Sequence, residues 1–205
     1  MTKDTFKTLA VASPEALYKE KGSKFYAYAF PIDSEEGINA RIKDVKEKHY
    51  SARHWCYAWQ LGIRNTMYRV NDDGEPRNSA GMPIYGQIQS FGVTNTLVIV
   101  VRYFGGIKLG VGGLVKAYKQ AANLTLKNAP IIEKTIDVLY TLNFEYVLMN
   151  KVMRIIKEHQ LEITNQKSAL KCLLEIKVRE RDAKKIETIL NSIFGLEFIK
   201  GTSEF

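Results

Sequence analysis

The run "NTLVIVVRYF", residues 95–104, limits what this chain can fold into more than any other stretch. Continuous apolar residues bounded by turn formers suit a central buried strand rather than a half-solvated one. "GGIKLGVGGLVKAY" follows at once and places five glycines between Gly105 and Gly113. Leu114, Ala117, Ala121 and Leu124 then recur at helical spacing, so a helix is expected to about Asn128, just before Pro130. The core pattern is therefore strand, glycine loop, helix.

Around that unit the first part of the chain mixes strands and helices. "ALYKEKGSKFYAYAFPI" reads as two strands joined at Gly22-Ser23. A helix should begin at Ser34, a capping residue followed by Glu35 and Glu36, with Ile38, Ile42 and Val45 as its apolar stripe. "RHWCYAWQLG" reads as a strand, and the polar loop "NDDGEPRNSAG" leads into a short helix near Pro83 to Ser90. The later part runs strand (136–144), helix (Val152, Ile155, Ile156), strands near 161–165 and 170–178, helix (Ile186, Ile189, Leu190, Ile193) ended by Gly195, and the strand "LEFIK". That β-α-β-β-α-β order is the split βαβ pattern of ferredoxin-like domains. The expected division is a first domain over 1–132 and a second over 135–205.

Charge is unevenly spread along the 205 residues. Residues 1–134 hold 19 Lys and Arg against 12 Asp and Glu, a difference of +7; residues 135–205 hold 11 against 10, a difference of +1. A basic first domain points to an anionic partner such as nucleic acid or a phosphorylated ligand, or to a scatter of solubilising lysines. "LVIVV" is too short to span a bilayer, the first ten residues carry no apolar signal region, and Cys56 and Cys172 lack metal-ligand spacing. A cytoplasmic protein with reduced thiols and no membrane segment is expected.

The glycine loop fits no named nucleotide motif. Gly105 and Gly110 match the outer glycines of G-x-x-x-x-G-K-[ST], but Val111 and Gly112 stand where Lys and Ser/Thr belong. Two readings stay open. Backbone N–H groups at the opening of a helix favour a phosphate or carboxylate, with Arg102, Lys108 and Lys116 adding charge and Gly105, Gly106, Gly110, Gly112 and Gly113 supplying amides. Alternatively, the glycines serve turns and close packing.

Other stretches carry weaker signals. Asp72, Asp73 and Glu75 could hold Mg²⁺ or act as acid and base, or form a solvated acidic turn. His54 and Cys56 share a strand face, where a core role is the plainer alternative to nucleophilic or metal chemistry. His49 and His159 stand near helix ends, where capping accounts for them. "RIKDVKEKHYSAR" offers a basic helix face for a phosphate backbone, and Tyr57, Trp59, Tyr68, Tyr85 and Tyr103 offer rings for unpaired bases.

Taken together, "RYFGGIKLGVGGL" after "LVIVV", "DDGEP…AGMPI" upstream and "ARHWCYAWQLG" resemble the IMPACT family in its bacterial YigZ-type form. The resemblance implies an α+β protein with a first domain like ribosomal protein S5 domain 2 and a ferredoxin-like second domain like domain V of elongation factor G. It implies a binding protein of translation or RNA metabolism, with RNA or the ribosome as partner, or a translation-related protein. It also places Asp72, Asp73, Glu75 and His54 at the rim of the cleft that holds the glycine loop. Eukaryotic relatives regulate translation partly through a further N-terminal domain; the shared region here begins near Met1, so their kinase-linked role is not expected to transfer. Arg77-Asn78-Ser79 replaces the family's small Ser-Gly-Thr. No catalytic residue, metal or cofactor is expected. The rival readings are an enzyme of small phosphorylated substrates using Mg²⁺ at Asp73 or Glu75, and a protein-interaction module without nucleic acid.

Overall fold

The long apolar run lies in the middle of a five-stranded antiparallel sheet, covered on both faces. The computed structural model describes residues 4–167 and 171–201; Leu170, read from the sequence as the start of a strand, lies outside them. The chain divides into two units, Phe6–Lys134 and a second made of Thr135 onward together with Asp4 and Thr5.

The first unit contains, but for the end residues Thr5 and Thr135, β1 (Thr5–Leu9), β2 (Ala16–Glu20), β3 (Ser23–Pro31), α1 (Glu35–Lys48), β4 (His54–Leu61), β5 (Met67–Asn71), α2 (Gly81–Phe91), β6 (Thr96–Tyr103), α3 (Gly110–Asn128) and β7 (Ile131–Thr135). The main sheet has the order β2-β3-β6-β4-β5, and β1 pairs with β7 apart from it. Strand side chains alternate between faces, so β6 divides its apolar residues between two cores. Val98 and Val100 pack with Ile84, Ile88, Leu114, Ala117, Tyr118 and Ala121 from α2 and α3. Leu97, Ile99 and Val101 pack with Ile38, Val45 and Trp59 on the α1 side. With helices on both faces, β6 is apolar from Leu97 to Val101; Thr96 at its start is buried with its hydroxyl donating to the Thr94 carbonyl, and the burial of Arg102 is explained below.

Local chemistry fixes the ends of these elements. Ser34 Oγ accepts the Gly37 amide at 3.2 Å and caps α1, as its sequence implies. The β2–β3 turn is made by Lys21 (φ 45°) and Gly22 (φ 77°), one residue upstream of the expected Gly22-Ser23; Ser23 already pairs with Glu20 as the first residue of β3. That tight turn is pressed against the glycine loop. A Cβ on Gly105 would lie 1.9 Å from the Gly22 carbonyl carbon and 2.2 Å from the Ser23 amide nitrogen. The Gly105 amide also donates to Ser23 Oγ at 3.2 Å.

The second unit holds β8 (Asp137–Glu145), a 3₁₀ turn at Tyr146–Leu148, α4 (Met149–Glu158), β9 (Glu162–Lys167), β10 (Lys171–Arg179), a 3₁₀ turn at Glu180–Asp182, α5 (Ala183–Asn191) and β11 (Leu196–Lys200). Its antiparallel sheet has the order β11-β8-β10-β9, with its core between Tyr140, Leu142, Leu174 and Ile176 of the sheet and Val152, Ile156, Ile186 and Leu190 of the helices. Asp4 is tied into this unit: Arg179 donates to its two oxygens at 2.6 and 3.2 Å, which holds the Asp4 carboxyl below its usual range. Among the described residues no helix is long and apolar enough to cross a membrane.

Gly105 and Gly112 separate the glycines the fold requires from those it does not. A Cβ on Gly112 meets nothing within 4 Å, and its backbone lies outside the left-handed region. Gly105→Ala should cost at least about 2 kcal/mol in urea denaturation, because backbone must move. Gly112→Ala should be neutral or stabilise by up to about 1 kcal/mol.

Candidate functional site

The loop between α2 and the sheet is locked by its own acids. Asp72 lies after β5 with its Oδ1 accepting the Ala80 and Gly81 amides at 3.0 and 2.8 Å, so it caps α2, which has no cap from its own N-terminal residue. Its Oδ2 accepts the Asn78 amide at 2.8 Å. Asp73 Oδ2 accepts the Trp55 amide at 2.8 Å, and the Asp73 carbonyl accepts from His54 Nδ1 at 2.9 Å. Asp73 (φ 42°) and Gly74 (φ 86°) make the turn that sends Glu75 inward.

Glu75 enters the core and meets Arg102 there. The Arg102 Nη1 to Glu75 Oε1 distance is 2.7 Å, with the two side chains 8% and 4% exposed. Tyr118 of α3 donates its hydroxyl to the same oxygen at 2.8 Å. The guanidinium lies between the rings of Phe25 and Phe104, 5.7 and 5.6 Å from their centroids. Cys56 completes the cluster, with its thiol 3.0 Å from the Asp72 carbonyl oxygen and 3.3 Å from the Tyr118 hydroxyl. Burial pushes this thiol far above its ordinary pKa, so Cys56 is a protonated core group rather than a nucleophile.

These contacts change the expected roles of several residues. Arg102 does not stand free beside the loop: Glu75 holds it, because a buried cation needs a buried partner. Its Nε remains buried without an acceptor. Asp72, Asp73 and Glu75 form neither a solvated turn nor an open cation cage, since protein donors occupy oxygens on all three. The basic face of α1 is largely neutralised: Arg41 faces Asp44, Lys43 faces Glu47 and Lys48 faces Glu15. Trp59 and Tyr85 are buried, and Tyr85 stacks on Tyr68 at 4.3 Å. His49 caps α1 with its backbone, but its side chain is buried between tyrosines, a role its position at a helix end does not disclose.

The glycine loop itself is exposed. Gly105, Gly106, Lys108, Gly110, Gly112 and Lys116 lie at the surface, Gly113 is half-buried, and Lys108 and Lys116 have no ion pair among the described residues. Phe104, Ile107 and Val111 are 58%, 56% and 57% exposed. The first turn of α3 begins at Leu109 with no side-chain cap and no acidic residue, so its amides are left bare. At the foot of the loop, Arg53, His54, Arg102, Tyr103 and Phe104, with Ser51 and Ala52, line a cavity of about 300 Å³. His54 donates from Nδ1 to Asp73, which leaves Nε2 as its free nitrogen. Arg53, unremarked in the sequence beyond its basic stretch, joins the site through the β4–β6 register that sets His54 opposite Arg102.

Fold and surface define a class: a two-unit α+β protein that presents a bare cationic glycine loop from the end of a buried central strand. Residues 21–126 match the family model of the Impact N-terminal domain. The IMPACT family member YigZ of Escherichia coli is 35% identical over 184 residues, covering 86% of this chain and 90% of that protein. A solved structure described as that of a hypothetical protein is 28% identical, with a TM-score of 0.71, over 98% of this chain and 100% of its own. The translational regulator Yih1, a two-domain protein, is 27% identical over 58% of this chain and 46% of its own, with a TM-score of 0.39, too low to support a structural argument. The chain belongs to the IMPACT family.

The buried pair gives a direct test of this architecture. Glu75→Ala should destabilise the first unit by about 3–5 kcal/mol in urea denaturation, since it strands the Arg102 charge. Replacing both residues, Glu75→Gln with Arg102→Met, should recover part of that loss. A loss under about 1 kcal/mol for Glu75→Ala would mean that the pair behaves as a surface ion pair does.

Proposed function

We propose that this protein works in translation by binding RNA, free or in the ribosome, through the surface from Phe104 to Lys116. The observation that carries the reading is the combination on that surface of uncapped α3 amides, two lysines without an ion pair among the described residues and three exposed apolar side chains. Phosphate oxygens suit the amides and lysines, while unpaired bases suit Phe104 and its neighbours. Gly112 supports it further, because packing gives no reason for a glycine there and a close-approaching backbone does. Arg77, exposed on the neighbouring loop, adds a cation where the family pattern has a small residue.

The two units are read as an S5 domain 2-like domain over 1–132 and a ferredoxin-like domain over 135–205 resembling domain V of elongation factor G, in a cytoplasmic protein. The link to translation rests on the family rather than on the site. A translation-related protein partner is the second reading, favoured by the exposure of Phe104, Ile107 and Val111. The Mg²⁺ enzyme reading loses ground because Asp73 and Glu75 are spent on Trp55, Arg102 and Tyr118.

Fluorescence anisotropy with short single-stranded RNA across a salt series, paired with ribosome co-sedimentation, tests the reading. Wild type should bind at low salt and weaken steeply as salt rises. Lys108→Ala and Lys116→Ala should each weaken binding several-fold and flatten the salt slope by about 0.7 for each phosphate no longer neutralised. Absence of binding at low salt, or variants that bind like wild type, would overturn it.

A further inference from the structure

A second cavity lies on the other side of Tyr103 and Phe104. Its volume is about 470 Å³; Tyr26, His49, Tyr103 and Phe104 line it together with Lys24 and Lys48. That volume falls within the roughly 300–1,000 Å³ usual for small-ligand sites. Rings dominate its walls: Tyr26 lies 5.1 Å from the His49 ring and 5.7 Å from the Tyr103 ring, the latter edge-on.

The hydrogen bonds of this cavity run in one direction. Glu15 is held as a carboxylate, first by Lys48 and then by Tyr28. A carboxylate only accepts, so Tyr28 donates its proton to Glu15. The Tyr28 oxygen is left to accept, and His49 Nε2, 2.6 Å away, carries the proton between them. Burial disfavours a charged imidazole here, with Glu15 opposing and Lys48 reinforcing that trend, so His49 is neutral and its Nδ1 is a lone pair. Tyr103 therefore donates to Nδ1 at 3.0 Å. The relay leaves the Tyr103 oxygen as a fixed acceptor on the cavity wall. Lys24 is exposed and has no acidic partner among the described residues, whereas Lys48 is already paired with Glu15.

An aromatic wall selects a planar ring, a fixed acceptor selects an N–H on that ring, and an unpaired ammonium selects an anion. We propose that this cavity binds one nucleotide, its base against Tyr26, Tyr103 and Phe104, a base N–H on the Tyr103 oxygen, and its 5′-phosphate at Lys24. The nucleotide is either free or one unit of a strand. Only in the second case does the proposal rest on the RNA-binding reading.

Titration calorimetry with nucleoside 5′-monophosphates and with short single-stranded RNA separates these cases, using the full chain, Tyr103→Phe and Lys24→Ala. Tyr103→Phe keeps the ring but leaves the buried His49 Nδ1 without its donor, so its Tm should fall by a few degrees, and an unchanged circular dichroism spectrum verifies the folding of both variants. Nucleotides should bind wild type, Tyr103→Phe should weaken them about tenfold through the lost acceptor, and Lys24→Ala should weaken them and reduce the salt dependence. Ribose 5-phosphate, which lacks the base, should not compete. Nucleotide binding that depends on Tyr103, without RNA binding, supports a free-nucleotide site and removes the strand reading. RNA binding that needs Lys108 but ignores Tyr103 and Lys24, with no nucleotide binding, overturns the cavity proposal and leaves the RNA surface standing. Absence of both overturns both.

Discussion

The buried Glu75–Arg102 pair is the interaction on which the first unit depends. Each partner alone would be an uncompensated charge in an apolar core, a state costing several kcal/mol. Together, with the Tyr118 hydroxyl as a third member, they join the acidic loop, the end of β6 and the middle of α3. The remaining acids extend the same lock: Asp72 caps α2, and Asp73 holds the start of β4 through the Trp55 amide and His54. The glycine loop starts just beyond Arg102 and Tyr103, so its base is held from three directions while its tip is bare. Rigid support beneath an exposed loop is the usual arrangement of a binding surface.

The glycines fall into two groups within that arrangement. Gly22 and Gly105 are demanded by the crossing of two backbones, and Gly106 and Gly110 by their φ of 87° and 70°. Gly112 answers to neither demand. Its bare backbone lies at the opening of α3, near Lys108 and Lys116, which have no ion pair among the described residues. Of the two alternatives that the sequence leaves open for the loop, turns and packing account for Gly22, Gly105, Gly106 and Gly110, and anion contact is the role proposed for Gly112.

Legibility in the sequence followed the strength of the burial signal. β6, α1 and α3 were readable because apolar residues mark their buried faces, and the β-α-β-β-α-β order of the second unit was readable from alternating periods. β5 was hidden because it is an edge strand whose residues Met67, Tyr68 and Arg69 are exposed, so nothing alternates. β1 and β7 were hidden because they pair across more than a hundred residues, and the segment of β7 reads equally well as a linker. In the site, the exposed lysines and glycines were legible as types. The Arg102–Glu75 partnership was not, because 27 residues separate the two and only the fold brings them together. His49 shows the same limit: its helix-end position suggests a cap, while Tyr28 and Tyr103 arrive from β3 and β6.

Backbone amide NMR of the full chain during titration with a short single-stranded RNA at low salt tests the central claim most directly. The account predicts that chemical shifts change first and most along Phe104–Lys116, the bare loop and opening turn of α3, and over the walls of the two cavities beside it. Shift changes confined to the unit from Thr135 onward, with 104–116 unmoved, would contradict it.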